Sequence, residues 1–461
     1  MASKLDLHHG PILMLVTVGV LAAIVYGAAA VTVGRPIVVG DSFAYNKAAM
    51  RLLNTGVFQY TGDDISSASP DAFTVPGYAV FLAAIYAFLP HSGDAVANML
   101  GAQIPIMLAQ LLLALATALL ICYAGYRLGG QCVGWVSGAF AAAYLPFGMN
   151  ATIALTETAA LFLMSAVVLS TVELFRSRVA SERHDLIWAI VLGVSGGVST
   201  LVRPSIALWL LLAMASWLWI RRASALREWK TMGVAAACVL LVMLPWVARN
   251  AIAFGEFIPL TSSASTPLLD SVGGANFTAA EELIAARAEA SGDDPYSAVA
   301  MSRLAAFWKR SPVAFTKWKA TVLWEGVSGF TNLPADVVDH IQLSGTLAQG
   351  SFADPGRFSP LEDLAFFARV SAWLTIYHRL LLLLAIIGVS LGRHRKVIWL
   401  LASIPAYYAA VHLAILFKVR YFYPAMPAVV LLAAFGTAGC LRIAVAAVVS
   451  GNARSTRVEV D

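Results

Sequence analysis

Apolar stretches about as long as a bilayer is thick recur along this chain, and they set the fold class before any other feature. A helix crossing the hydrocarbon core needs about 20 largely apolar residues. Runs near 11–33, 103–126, 132–148, 156–175, 186–203, 205–220, 231–248, 371–392, 397–417 and 422–441 reach or approach that length. In lipid, backbone polar groups must be paired within the segment, which makes such runs helical. Composition agrees: only 12% of the 461 residues are charged, against about 25% in soluble proteins. The expected fold is an all-α polytopic membrane protein of about ten transmembrane helices. Pro11 to Val33 is too long for a signal-peptide core and lacks an obvious small-residue cleavage site, so it reads as a retained helix.

The net charge of +5 does not point to nucleic acid, because Lys and Arg gather in short clusters between apolar runs. Those clusters are Arg176/Arg178/Arg183, Arg221/Arg222/Arg227/Lys230, Arg393/Arg395/Lys396 and Arg442/Arg454/Arg457. The positive-inside rule assigns them, and both termini, to the cytoplasm. Cys122, Cys132, Cys238 and Cys440 lie in or beside apolar runs without metal-ligand spacing, and no HExxH arrangement marks a zinc site.

Residues 75–90 are apolar but short and open on Pro76-Gly77. If they crossed the bilayer, every later basic cluster would face outward. They read instead as a helix that dips into the outer face and returns. Residues 34–100 then form one extracytoplasmic unit with amphipathic helices, inside an N-terminal transmembrane module 1–248. Residues 249–370 form a second outer segment, a loop or small helical domain, with helical periodicity over 294–320 and a new helix starting at Pro312. Residues 371–461 supply the last transmembrane helices and a cytoplasmic tail.

Charged residues at the outer ends of helices need a reason, since the positive-inside rule disfavours cations there. Asp41 sits just after the first run, and Tyr45 follows one helical turn later. Asp41 reads either as a solvated loop acid or helix cap, or as a general base or metal-linked carboxylate. Glu157 opens a helix on the same face. There it can favour the positive helix end, with Thr156 as cap, or act with Asp41 on an acceptor hydroxyl or a divalent cation. Arg203, Arg249, Lys418 and Arg420 lie at outer ends of helices. They either snorkel to lipid phosphates or bind a phosphate-bearing ligand. Trp246, Tyr421, Phe422 and Tyr423 read as an interfacial belt, with sugar stacking as the alternative. Gly193, Gly196 and Gly197 read as helix-packing glycines.

Taken in order, these landmarks resemble the polytopic C-type glycosyltransferase (GT-C) superfamily. The nearest likeness is to bacterial relatives of protein O-mannosyltransferases and lipid A aminoarabinose transferases. The pattern runs through Asp41 and Tyr45, the stretch from Asn46 to Gly56, and Pro76-Gly77-Tyr78. It continues through Thr156-Glu157, Arg203-Pro204, Pro245-Trp246 with Arg249-Asn250, and Arg420-Tyr421 with Pro424. The chain departs from the pattern in two ways. Ser42 stands where many relatives carry a second acid, and Thr74 and Val75 stand where many carry a basic residue.

The resemblance implies a GT-C-like fold and transfer of a sugar from a polyprenyl-phosphate donor to a glycan, lipid or protein acceptor. The reaction would run on the extracytoplasmic face of a bacterial inner membrane, with inversion at the anomeric carbon. It implies catalytic roles for Asp41 and Glu157, with the same two carboxylates holding Mg or Mn if a divalent cation takes part. Lys47, Arg203, Arg249, Lys418 and Arg420 would bind the donor phosphate, and Tyr45, Tyr78 and Tyr421 the substrate. A lipid-linked sugar translocase, or a ligase or polymerase of lipid-linked glycans, is the alternative.

Overall fold

A computed structural model describes residues 6–33, 41–62, 69–90, 95–176, 181–220, 225–263, 296–329, 360–392, 395–414 and 419–458. Every long regular element among them is an α-helix: α1 (Asp6–Val33), α2 (Asp41–Thr55), α3 (Gly77–Tyr86), α4 (Ala95–Ala143), α5 (Pro146–Asn150), α6 (Thr156–Arg176), α7 (Glu182–Val202), α8 (Ala207–Ile220), α9 (Ala225–Phe254), α10 (Tyr296–Arg310), α11 (Pro312–Ser328), α12 (Pro360–Leu391), α13 (Arg395–Ala414), α14 (Val419–Phe422) and α15 (Met426–Val458). Among the described residues eight helices are long and apolar enough to cross a membrane. The chain is an all-α, multi-pass membrane protein.

The expected helices 103–126 and 132–148 are the two halves of α4, which meet at Gly130 with φ 80°. A left-handed residue breaks a helix with least strain when it is glycine, so the turn sits there. The 205–220 helix is a correction. Arg203-Pro204 starts a short 3₁₀ turn, which leaves α8 only 14 residues, about 21 Å at 1.5 Å per residue and short of a full span. The helix starting at Pro312 is present, and the Ser311 hydroxyl accepts from the Ala314 N–H to cap it.

α1 shows how one apolar helix meets both protein and lipid. Met14, Val18, Ala22 and Tyr26 recur every four residues and are buried, and the Tyr26 hydroxyl donates to the Ala141 carbonyl at 2.7 Å. Ile12, Leu13, Val16, Val20 and Ile24 on the remaining faces are exposed, which suits hydrocarbon. α6 is buried over most of its length and forms the bundle's core with α4, α7 and α15. α12 crosses α15 at two glycines. A Cβ on Gly388 would collide with the Leu432 carbonyl oxygen, and one on Gly436 with that of Leu384. Small residues let helix backbones touch in this way. Gly436→Ala is therefore expected to cost about 1–3 kcal/mol or more, read as a lower thermal midpoint in detergent. An unchanged midpoint would rule out this crossing. Gly193 and Gly197 give α7 the same closeness to α9, against Ala235 and Val242.

Two polar clusters mark the ends of α6 and α7. At one end Glu173 accepts from Arg127 at 2.8 Å and lies 3.4 Å from His184, while Arg227 pairs with Asp185. At the other end are Glu157 and Arg203.

Candidate active site

Pro76-Gly77-Tyr78 brings the first loop region to this second end. A Cβ on Gly77 would lie 2.6 Å from the Leu201 carbonyl oxygen. Only glycine lets the start of α3 press on the last turn of α7, one residue short of Arg203. Arg203 itself is extended, with φ −142° and ψ 109°, as a residue before proline must be. That conformation turns its side chain off the helix axis toward α6.

Four charged side chains from four segments meet there. Arg203 donates to Glu157 Oε1 at 3.1 Å and to the Arg420 carbonyl at 3.2 Å. Arg420 donates to Asp41 Oδ2 at 2.9 Å. The Tyr421 ring lies 5.5 Å from both guanidiniums, and His412 stacks on it at 5.2 Å. Cations are attracted to an aromatic face at such distances, so Tyr421 helps hold the two arginines beside each other despite their like charge.

The two carboxylates differ in access. The side chain of Asp41 is 53% exposed and that of Glu157 is 3% exposed. Asp41, at the start of α2, faces outward from the bundle end. Glu157 lies behind Arg203 and can serve to fix it.

The remaining expected site residues divide. Burial pushes the Tyr45 phenol up to about 12. It stays protonated at neutral pH. The hydroxyl facing Asp41 is that of Tyr60, 3.5 Å from Oδ1. Tyr45 is wedged edge-on between Tyr60 and Tyr78, at 5.0 and 5.1 Å. Tyr78 is fully buried and donates to Gln110 Oε1 at 3.0 Å. Gln110 in turn donates to the Ala151 and Ile153 carbonyls just ahead of α6. Tyr78 thus supports the site from within instead of lining it.

Lys47 donates to the Gly62 carbonyl at 2.9 Å. Arg249, inside α9 rather than beyond it, donates to the carbonyls of Asp71 and Phe58, both at 2.7 Å. It also lies over the rings of Trp246 and Phe254. Lys47 thus holds Gly62, and Arg249 holds Phe58 and Asp71. Lys418 lies outside the described residues. Arg249→Ala is expected to leave the Asp71 carbonyl without its donor and that of Phe58 with only the Asp71 N–H at 3.4 Å, a cost of about 1–3 kcal/mol where a buried acceptor goes unpaired. Faster proteolysis between α2 and α3 should report this, with farnesyl phosphate affinity within about twofold of wild type. A large affinity loss without faster cleavage would make Arg249 a phosphate ligand instead.

No cluster of three or more His, Cys, Asp or Glu suited to a metal occurs among the described residues. Asp41 and Glu157 are each paired with an arginine. As arranged, they do not offer the oxygen-rich shell that a divalent cation takes.

No family model matches the chain, and no curated protein matches it in sequence. Its helices do superpose on solved structures. The oligosaccharyltransferase of Archaeoglobus fulgidus in its apo form gives a TM-score of 0.51 at 12% identity, over 92% of this chain and 50% of that one. The chain has the C-type glycosyltransferase fold. AglB from Archaeoglobus fulgidus, in complex with an inhibitory peptide and a dolichol-phosphate, gives 0.50 at 12% identity over 94% and 50%. ArnT from Cupriavidus metallidurans bound to undecaprenyl phosphate gives 0.43 at 15% identity over 94% and 78%. The chain spans about half the length of the archaeal oligosaccharyltransferases it matches. At these identities the likeness is one of fold. What the GT-C bundle does here must be argued from its own side chains.

Proposed function

We propose that this protein is a membrane glycosyltransferase that moves a sugar from a polyprenyl-phosphate donor to an acceptor hydroxyl at the extracytoplasmic face. The observation that carries the reading is the charge quartet Asp41–Arg420 and Arg203–Glu157 at one end of the helix bundle. An exposed carboxylate beside two adjacent guanidiniums matches the needs of this chemistry, which are a proton acceptor and anchors for a departing phosphate. That a protein of this fold holds a dolichol-phosphate supports a lipid phosphate as the ligand.

In this mechanism the donor phosphate takes Arg420 and Arg203, whose planar forks suit phosphate oxygens. Arg420 then leaves Asp41, and the freed carboxylate accepts the proton of the acceptor hydroxyl. The acceptor oxygen forms its bond to the anomeric carbon while the bond from that carbon to the phosphate oxygen breaks. The electron pair leaves with polyprenyl phosphate, and the guanidiniums stabilise its growing charge. Displacement in one step inverts the anomeric centre. Glu157 keeps Arg203 aimed, and no step passes through a metal.

The test is to incubate the purified protein with a panel of polyprenyl-phosphate sugars and mixed glycan, lipid and peptide acceptors, then identify products by mass spectrometry. A glycosylated product that disappears in Asp41→Asn is expected. Movement of labelled donor across vesicle membranes without any product would favour a translocase.

A further inference from the structure

The connection after α2 is held far more firmly than a plain connector needs. Gly56, at φ 72°, ends the helix, and the chain turns back along it. Arg249 holds the Phe58 carbonyl, and fully buried Arg51 holds those of Gln59, Thr61 and Gly62 at 3.1, 2.8 and 2.7 Å. Lys47 shares the Gly62 carbonyl. From the other side, Asp71 Oδ2 accepts from the Tyr60 and Thr61 N–H groups at 2.9 and 2.8 Å. Each residue from Phe58 to Gly62 thus has a backbone group fixed by a charged side chain. Burying a guanidinium such as that of Arg51 is costly unless its bonds are made. The side chain that this framework positions at the quartet is Tyr60. Its ring stacks on Phe73 at 5.7 Å and meets Tyr45 edge-on, and its hydroxyl points at Asp41 Oδ1.

We infer that Tyr60 is the positioning residue of the base, and that its hydroxyl holds Asp41 Oδ1 when Arg420 transfers from Oδ2 to the donor phosphate. The inference rests on the reading of Asp41 as base. Asp41 has a donor on each oxygen, and the two donors differ in kind. Arg420 is a cation that an incoming phosphate can draw away, whereas a neutral phenol has no comparable pull. Loss of Arg420 frees Oδ2 for the acceptor proton, while Oδ1 stays anchored. The 3.5 Å separation is long for a hydrogen bond, as is common before substrate binds. Burial, and then the charge of Asp41, raise the Tyr60 phenol well above its usual range, so it remains a donor. The hydroxyl that reaches Asp41 Oδ1 is that of Tyr60, and the Tyr45 ring packs against the Tyr60 ring.

The test compares full-length wild type, Tyr60→Phe, Tyr45→Phe and Asp41→Asn in detergent. Carbodiimide modification of Asp41 is followed by peptide mass spectrometry, farnesyl phosphate binding by titration, and turnover with a polyprenyl-phosphate sugar. Tyr60→Phe keeps the ring, so farnesyl phosphate affinity should stay within about twofold, which also shows that the protein is folded. Asp41 should be modified several times faster, and kcat should fall about tenfold or more at unchanged donor KM, as for loss of a bond to a charged group. Tyr45→Phe should leave the modification rate of Asp41 at the wild-type value. Wild-type modification of Asp41 in Tyr60→Phe, or the same acceleration of modification in Tyr45→Phe, overturns the inference. So does full turnover of Tyr60→Phe where Asp41→Asn is inactive. Full turnover of Asp41→Asn instead overturns the base assignment, and the modification rates still report on Tyr60.

Discussion

Asp41→Asn is expected to slow transfer by roughly 10²–10⁴-fold, the range for loss of a positioned general base, while farnesyl phosphate binds as well as to wild type or more tightly. The two halves of that result belong together. In the ligand-free protein Asp41 and a phosphate compete for Arg420, which now lies 2.9 Å from the carboxylate. An amide of the same shape cannot take a proton, and it gives up the guanidinium more easily. A simple loss of structure at the site would lower both rate and affinity. Initial rates and equilibrium binding on the same preparation decide the matter, and wild-type turnover would remove Asp41 from the chemistry.

Arg203→Ala is expected to be strongly destabilising, at up to about 3–5 kcal/mol, the cost of removing one partner of a buried ion pair, with the charge of Arg420 near Glu157 offsetting part of it. Glu157 is 3% exposed and Arg203 14% exposed in their side chains, so solvent offers little compensation. Replacing both partners with apolar residues, Arg203→Met with Glu157→Leu, should recover most of the thermal midpoint and none of the phosphate affinity. Recovery of both would make the pair purely structural. Failure to recover either would mean that the bond from Arg203 to the Arg420 carbonyl holds the bundle end together.

The helices were legible because lipid enforces long apolar runs, and α1, α6 and α7 fall close to where those runs lie, whereas α15 runs on to Val458, well past the end of its run at 441. α8 was not, since the apolar run from 205 gives no sign that Pro204 uses its first residues in a 3₁₀ turn. At the site, position at the outer ends of helices and the family resemblance singled out Asp41, Glu157, Arg203 and Arg420, and the structure brings these four together. Neither position nor resemblance could say which carboxylate pairs with which arginine, because the partners are 379 and 46 residues apart. Tyr60 and Asp71 escaped notice for a related reason. A tyrosine and an acid in a polar loop look ordinary until the backbone groups they serve are known. Lys47 and Arg249 show the opposite case, in which outer-face cations suggested a ligand and folding uses them for carbonyls.

The quartet holds two carboxylates and two guanidiniums, so before any substrate arrives its formal charge is zero. A basic groove attracts anions from many ångströms away and loses that attraction as salt is added. A balanced cluster has little field beyond its own edge. Lipid phosphates already crowd the membrane surface around such a protein, and a strongly cationic mouth would be filled by them. With the two arginines already balanced by the two acids, a passing phosphate gains little, and only a molecule that also engages the surrounding protein displaces them. Selectivity for the donor over bulk phospholipid then comes from the exchange of partners rather than from long-range attraction.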